Sequence, residues 1–284
     1  MYSRKHTTSI SILRINIESN SKTIEEETWG RFACPTKWDR GNVPVSPVPV
    51  SPRRIFLFIR GDTVANISHD YIDSFLLGMI PGRSGILKEM EEYARENHVP
   101  IITPDIASLL AVLIKTAKVK SILEIGTAIG YSAIHMGLCA GKDFSITTIE
   151  RNEEYAALAA DFIRKAGMGD NIRIITGAAE EMLKDIPGSF DMIFVDAAKG
   201  QYMDFMKKSI GKLRIGGLYV CDNVLFRGMV AERSLLIRRK ITIVKRLKKF
   251  LSFITSCESL ETAVIPMGDG ISVCCKLKEV EFIE

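Results

Sequence analysis

The sequence predicts an α/β fold, a mostly parallel sheet with helices on both faces that closes on an antiparallel strand pair. Three observations carry this. Short β-rich runs, SILEIG (121–126), SITTIE (145–150), IRIIT (172–176) and DMIFVD (191–196), alternate with helical stretches such as EEYAALAADFIRKAG. RIGGLYVCDN adds a fifth strand, and ETAVIP with GISVCCKLK reads as the closing antiparallel pair after a helix over 232–253. Upstream, over residues 66–117, HDYIDSFLLGMI, SGILKEMEEYARENH and PDIASLLAVLIKTA carry apolar residues at helical spacing, the last opened by Pro104 at a tolerated first helical position.

Composition narrows the class. The 284 residues are 46% hydrophobic and 25% charged, ordinary for a soluble globular protein. No apolar run approaches the ~20 residues that span a bilayer, and the N-terminus lacks the apolar stretch of a secretory signal. A cytoplasmic protein with no membrane partner is expected. Six cysteines (Cys34, Cys139, Cys221, Cys257, Cys274, Cys275) form no CxxC pair and no zinc-ligand spacing, which fits reduced thiols that act as small hydrophobes.

Residues 1–63 differ in texture. Five of the ten prolines lie between Pro35 and Pro52, in and around VPVSPVPVSP, a run that favours extended backbone and builds no core. This segment is expected to be disordered or a non-native extension, with a short apolar piece at 54–60 and translation beginning near Val64. Residues 64–284 form the functional domain. They hold 28 Lys and Arg against 28 Asp and Glu, yet residues 227–249 carry nine basic residues against one acid, Glu232.

LEIGTAIGYSAI (123–134) leaves the first strand of the sheet and enters a helix through glycines. In an open parallel sheet, ligands bind beyond the carboxyl ends of the strands, where such loops lie. The pattern Glu124-x-Gly126-x-x-x-Gly130 is not the GxGxxG of dinucleotide enzymes. With Glu150 ending the second strand, where a carboxylate can accept from ribose hydroxyls, it points to an adenosine cofactor that is not NAD, S-adenosylmethionine. Asp196 ends strand four, while Asp222 and Asn223 end strand five. Two carboxylates and an amide carbonyl at neighbouring strand ends suit a hard divalent cation such as Mg²⁺. Taken singly, each would read as a turn or cap residue. Lys199, three residues past Asp196, would by itself be a solvated lysine.

The motifs LEIGTAIGYS, FVDAAKGQY, CDNVLFRG and PMGDG resemble the Mg²⁺-dependent, catechol-type O-methyltransferase family, most closely its bacterial branch that methylates 5-hydroxyuridine at the tRNA wobble position. The resemblance covers residues 66–284. It implies a class I methyltransferase, Rossmann-like, with a seven-stranded sheet, and a homodimer formed through the N-terminal helices. It implies a metal on Asp196, Asp222 and Asn223, with Lys199 beside the acceptor oxygen. Cofactor contacts are implied around Ile102, Glu124, Gly126, Ser132, Glu150, Ala178, Ala179 and Asp196. In that branch Gly-Asp-Ala often follows strand three; here Gly177-Ala178-Ala179 leaves the adenine to backbone groups.

Such a site needs an acceptor with two vicinal oxygens, which both catechol and 5-hydroxyuridine possess. Lys199 would stabilise the oxyanion as ammonium or take its proton as amine. Arg227, Arg233, Arg238, Arg239, Lys245 and Arg246 are candidate RNA contacts, on the exposed faces of a helix whose apolar stripe includes Ile237, Ile241, Val244 and Leu251. They would meet phosphates while a splayed wobble base stacks near Tyr202 or Phe226. A small catechol or caffeoyl-type phenol stays open as the alternative acceptor.

Overall fold

β-Branched runs between glycine- and aspartate-bearing loops set the strands, and the computed structural model, which describes residues 12–15, 24–27 and 69–282, has a strand at each of the seven runs. The strands are β1 (Ser121–Ile125), β2 (Ser145–Glu150), β3 (Ile172–Thr176), β4 (Phe190–Val195), β5 (Leu213–Cys221), β6 (Leu260–Ile265) and β7 (Ile271–Lys276). They form one seven-stranded sheet in the spatial order β3-β2-β1-β4-β5-β7-β6. The pairings from β3 through β5 are parallel, and β7 is antiparallel to both β5 and β6. The direction of winding reverses between β1 and β4, and ligand crevices open at such a switch point.

Helices α1 (Asp70–Met79), α2 (Gly85–Glu96) and α3 (Pro104–Thr116) precede the sheet. Helices α4 (Tyr131–Ala140), α5 (Glu153–Lys165), α6 (Ala179–Met182), α7 (Tyr202–Ser209) and α8 (Ile241–Ser256) alternate with its strands. Period-two alternation divides the core. Ile122, Ile146, Met192 and Phe194 turn to a face covered by α2–α5. Leu123, Ile149, Ile193 and Val195 turn to the face covered by α7 and α8.

The expected helix over 232–253 is not continuous. Arg233–Leu235 and Arg238–Lys240 form separate 3₁₀ turns, and α8 begins only at Ile241. The Glu232 carboxylate accepts from the Ser234 N–H at 2.7 Å, and Ile237 is extended. A run of three cations would also oppose the positive end of a helix dipole. The buried stripe of α8 is Val244, Leu247, Phe250 and Ile254, whereas Ile237 is 45% exposed.

In residues 1–58, a separate unit, Ile12–Ile15 pairs antiparallel with Ile24–Glu27. The remainder of the expectation for residues 1–63, including the apolar piece at 54–60, lies outside the described residues, as does Cys34. The other five cysteines are free and lie buried or half-buried. Among the described residues no helix is long and apolar enough to cross a membrane.

Candidate active site

At the carboxyl ends of β1, β4 and β5 the parallel ladders run on past the strands. Gly126 N–H donates to Ile149 O (3.0 Å), Asp196 N–H to Ile125 O (2.9 Å) and Asp222 N–H to Val195 O (3.0 Å). These bonds fix the backbone from which the site's side chains project. Gly126 (φ +101°) sits where a Cβ would lie 2.2 Å from the Asp196 carbonyl oxygen, so only a hydrogen fits. Gly130, left-handed at φ +86°, then turns the chain into α4.

These loops enclose a cavity of about 330 Å³, within the range of small-molecule sites. Of the residues singled out in the sequence, Ile102, Gly126, Ser132, Asp196, Lys199, Asp222 and Asn223 all line it. Asp222 is 3% exposed and its Oδ1 accepts from Asn223 N–H at 2.6 Å. Burial raises the pKa of Asp196, against the pull of the Lys199 ammonium. Burial and the nearby Asp196 charge raise Asp222 as well.

Two buried carboxylates that desolvation and repulsion both penalise are a donor set that a divalent cation would satisfy. Among the described residues no three His, Cys, Asp or Glu side chains are grouped to hold a metal; the Asn223 amide, on the same cavity wall, offers a further oxygen donor. Asn223 adopts φ +54°, a left-handed conformation that asparagine tolerates better than most residues. By donor chemistry the trio fits Mg²⁺.

Glu124 lies beneath the glycine loop, fully buried. Its Oε2 accepts from Thr148 Oγ1 at 2.5 Å, and Thr148 Oγ1 is bonded in turn to Thr127 Oγ1. Its Oε1 is buried without a hydrogen-bond partner of good geometry. Burial pushes its pKa up to about 7, offset in part by the Ser132 and Thr148 hydroxyls. Glu150, at the end of β2, is not among the residues that line the cavity, and it braces the glycine loop. Its two carboxylate oxygens accept from Ala128 N–H and Asn152 N–H, each at 2.8 Å. Ala178 and Ala179 open α6 half-buried, also outside the lining.

Ten of the lining residues escaped sequence reasoning, Thr103 and Asp269 among them. Thr103 caps α3 by position, but its hydroxyl makes no capping bond; Oγ1 is buried without a partner and the residue lines the cavity. Asp269, inside the PMGDG motif, lines it too. An N-cap threonine and a turn aspartate each have an ordinary local explanation, so neither stands out in sequence.

The acceptor side needs one correction. Tyr202 is 1% exposed, its hydroxyl donates to Asp222 O at 2.7 Å and its ring meets Phe250 edge-on, so it cannot stack a base. Phe226 is half-buried beneath the Lys240 ammonium. Arg227, Arg233, Arg238, Arg239, Lys245 and Arg246 are all exposed. Arg246 reaches Gly200 O at 3.4 Å, which seats α8 on the turn that carries Lys199.

Residues 82–277 match the family model described as O-methyltransferase. A caffeoyl-CoA O-methyltransferase of Medicago sativa is 30% identical over 210 residues, 70% of this chain and 85% of that protein. One from Eucalyptus gunnii is 32% identical over 204 residues, 68% of this chain and 81% of its own length. Among solved structures, a Staphylococcus aureus protein assigned as a caffeoyl-CoA O-methyltransferase superposes with TM-score 0.68 at 31% identity, covering 73% of this chain and 100% of that one. The SAH-bound methyltransferase of Podospora anserina gives 0.67 at 27%, covering 74% and 95%. The seven-stranded sheet is thus the Rossmann-like fold of the class I methyltransferases.

Glu124 yields a pH-dependent test. A carboxyl raised from 4.5 to about 7 adds stability that is complete below pH 4.5 and is lost as pH rises through 7. Glu124→Gln should therefore gain stability relative to the parent chain between those limits, by on the order of 2–3 kcal/mol above pH 8. Urea unfolding across pH measures it; a constant difference would show that the carboxyl does not titrate there.

Proposed function

The chain belongs to the O-methyltransferase family, and from that premise we propose that it transfers the methyl of S-adenosylmethionine, with Mg²⁺, to the 5-hydroxyl of 5-hydroxyuridine at the tRNA wobble position, giving 5-methoxyuridine. The supporting observation is the exposed band of cations that follows Asn223, with α8 braced against the Lys199 turn. A band nearly free of acids beside the cavity suits a phosphate backbone.

Methyl transfer to oxygen forms a C–O bond and breaks a C–S bond, so the sulfonium charge is lost and the acceptor's proton must leave. When bound, the cation supplies Lewis acidity that lowers the pKa of a hydroxyl. Asp196, Asp222 and Asn223 would hold it. Lys199, on the cavity wall, stabilises the developing oxyanion or takes the proton. Ser132 and Thr103 offer hydroxyls to the cofactor side, and the apolar wall at Ile102 and Ile106 excludes water.

A second reading is favoured by the relatives' names: a catechol or caffeoyl-type phenol as acceptor. It needs the same two vicinal oxygens and the same trio, and differs in having no use for the length of the cationic band.

We also assign α1 to a homodimer contact. None of its residues is buried, and Tyr71, Phe75 and Met79 are each about two-thirds exposed, an apolar face suited to its counterpart in a second copy. Phe75→Glu should convert a dimer into a monomer in light scattering; a parent chain that is already monomeric removes the assignment.

Labelled S-adenosylmethionine should methylate 5-hydroxyuridine tRNA well above catechol, and chelator should abolish the labelling. Lys199→Met should lower kcat by about 100-fold or more while cofactor affinity, read by calorimetry, stays unchanged. Labelling of catechol alone would leave the chemistry in place and transfer the acceptor assignment to small phenols.

The combined variant Arg238→Ala, Arg239→Ala, Lys245→Ala should raise the tRNA KM by about tenfold or more and flatten its salt dependence by roughly one slope unit for each phosphate no longer neutralised. Catechol turnover should not change. Equal effects on both acceptors would mean that the band supports the fold and not the RNA.

A further inference from the structure

The segment that follows the metal-ligand pair is held in an uncommon backbone conformation. Asn223, Phe226, Arg227 and Gly228 have φ of +54°, +47°, +58° and +73°. For Phe226 and Arg227, which carry a Cβ, the left-handed region is unfavourable. Such a segment stays in place only if its surroundings hold it there.

The turn between β6 and β7 does so. Val224 N–H donates to Gly270 O (2.9 Å), and Leu225 N–H to Asp269 O (3.0 Å). Arg227 N–H donates to Asp269 Oδ1. Leu225 rests on the bare Cα of Gly270, where a Cβ would lie 2.4 Å from its Cγ. Asp269 thus offers both a main-chain and a side-chain acceptor to one loop.

We propose that Asp269 is a positioning residue: it latches the 224–228 loop to the β6–β7 turn and so fixes where Arg227, four residues after Asn223, meets the acceptor. The acceptor's identity rests on the function proposed above; the latch does not. Asp269 also lines the cavity, and its charge acts on Asp222, which gives a rival role in which the negative charge serves a cation directly. The two roles separate by substitution. Asp269→Asn keeps a carbonyl acceptor and loses the charge, whereas Asp269→Ala loses both.

Hydrogen exchange of the 224–228 amides in the full chain reads the latch with no acceptor present. Asp269→Ala should speed exchange about tenfold, the order expected for losing a bond to a charged acceptor, and Asp269→Asn should stay within about threefold of the parent. Gly270→Ala, which displaces Leu225 without touching Asp269, should loosen the same amides. In turnover, Asp269→Ala should raise the acceptor KM about tenfold with kcat and the cofactor KM nearly constant, and Asp269→Asn should restore it. Both variants lose the same charge, so any change in Mg²⁺ affinity by calorimetry should be common to them and cannot account for an effect confined to Asp269→Ala. Unchanged exchange in Asp269→Ala would overturn the latch, as would an acceptor KM raised equally in both variants. If neither tRNA nor catechol is methylated, the acceptor reading fails while the exchange data still decide the latch.

Discussion

Only a hydrogen atom fits between Gly126 and the Asp196 carbonyl, and much of the site depends on that closeness. It brings the end of β1 against the end of β4 at the point where the winding of the sheet reverses. The chain can therefore turn at Gly126 and Gly130 and set Ser132, in the first turn of α4, on the cavity wall. The same contact, with the Asp196 N–H bonded to Ile125 O, leaves the Asp196 side chain no direction but the cavity. Asp222 then follows by register, because β5 is the parallel neighbour of β4. Any side chain at Gly126 would have to part the two strand ends, and the donor trio with them.

The carboxylates so placed create an electrostatic problem that shapes the rest. Asp196 and Asp222 are crowded where water is scarce, and Asp269 adds a third negative charge to the wall. Lys199 offsets part of this, and a cation would offset more. A polyanionic acceptor could not bring its phosphates onto such a floor. Arg227 and the cations near α8 are exposed and lie outside that wall, so the negative and the positive groups of this region are held apart.

Much of this was legible in the sequence because it depends on local pattern plus parallel order. Seven β-rich runs became seven strands, since β-branched residues bounded by glycine and aspartate have few alternatives. That Asp196, Asp222 and Asn223 would share one cavity was legible because neighbouring parallel strands place their ends side by side. What was missed depends on distant partners. Asp269 looks like a turn residue until its carboxylate meets Arg227, 42 positions earlier in the chain. Tyr202 looks available for stacking until Phe250 and the Asp222 carbonyl close around it. Glu150 braces Ala128 because the glycine loop folds back over β2, a path its spacing does not specify. Helical periodicity ran through Ile237, Ile241 and Val244, yet the cation run around residues 238–240 starts the helix later.

The length of the cation band bears on the acceptor proposed above. The CoA-linked phenols named for the relatives also carry phosphates, so cations near the cavity do not by themselves imply RNA. Coenzyme A, however, gathers its charge into one diphosphate and one ribose phosphate. Here the cations begin at Arg227 and continue to Lys249, well along α8, a helix of 16 residues that is ~24 Å long at 1.5 Å per residue. Lys248 and Lys249 add exposed charge past Arg246, which itself reaches the turn that carries Lys199. Small acceptors leave that stretch unused, whereas a folded nucleic acid offers phosphates along its whole length.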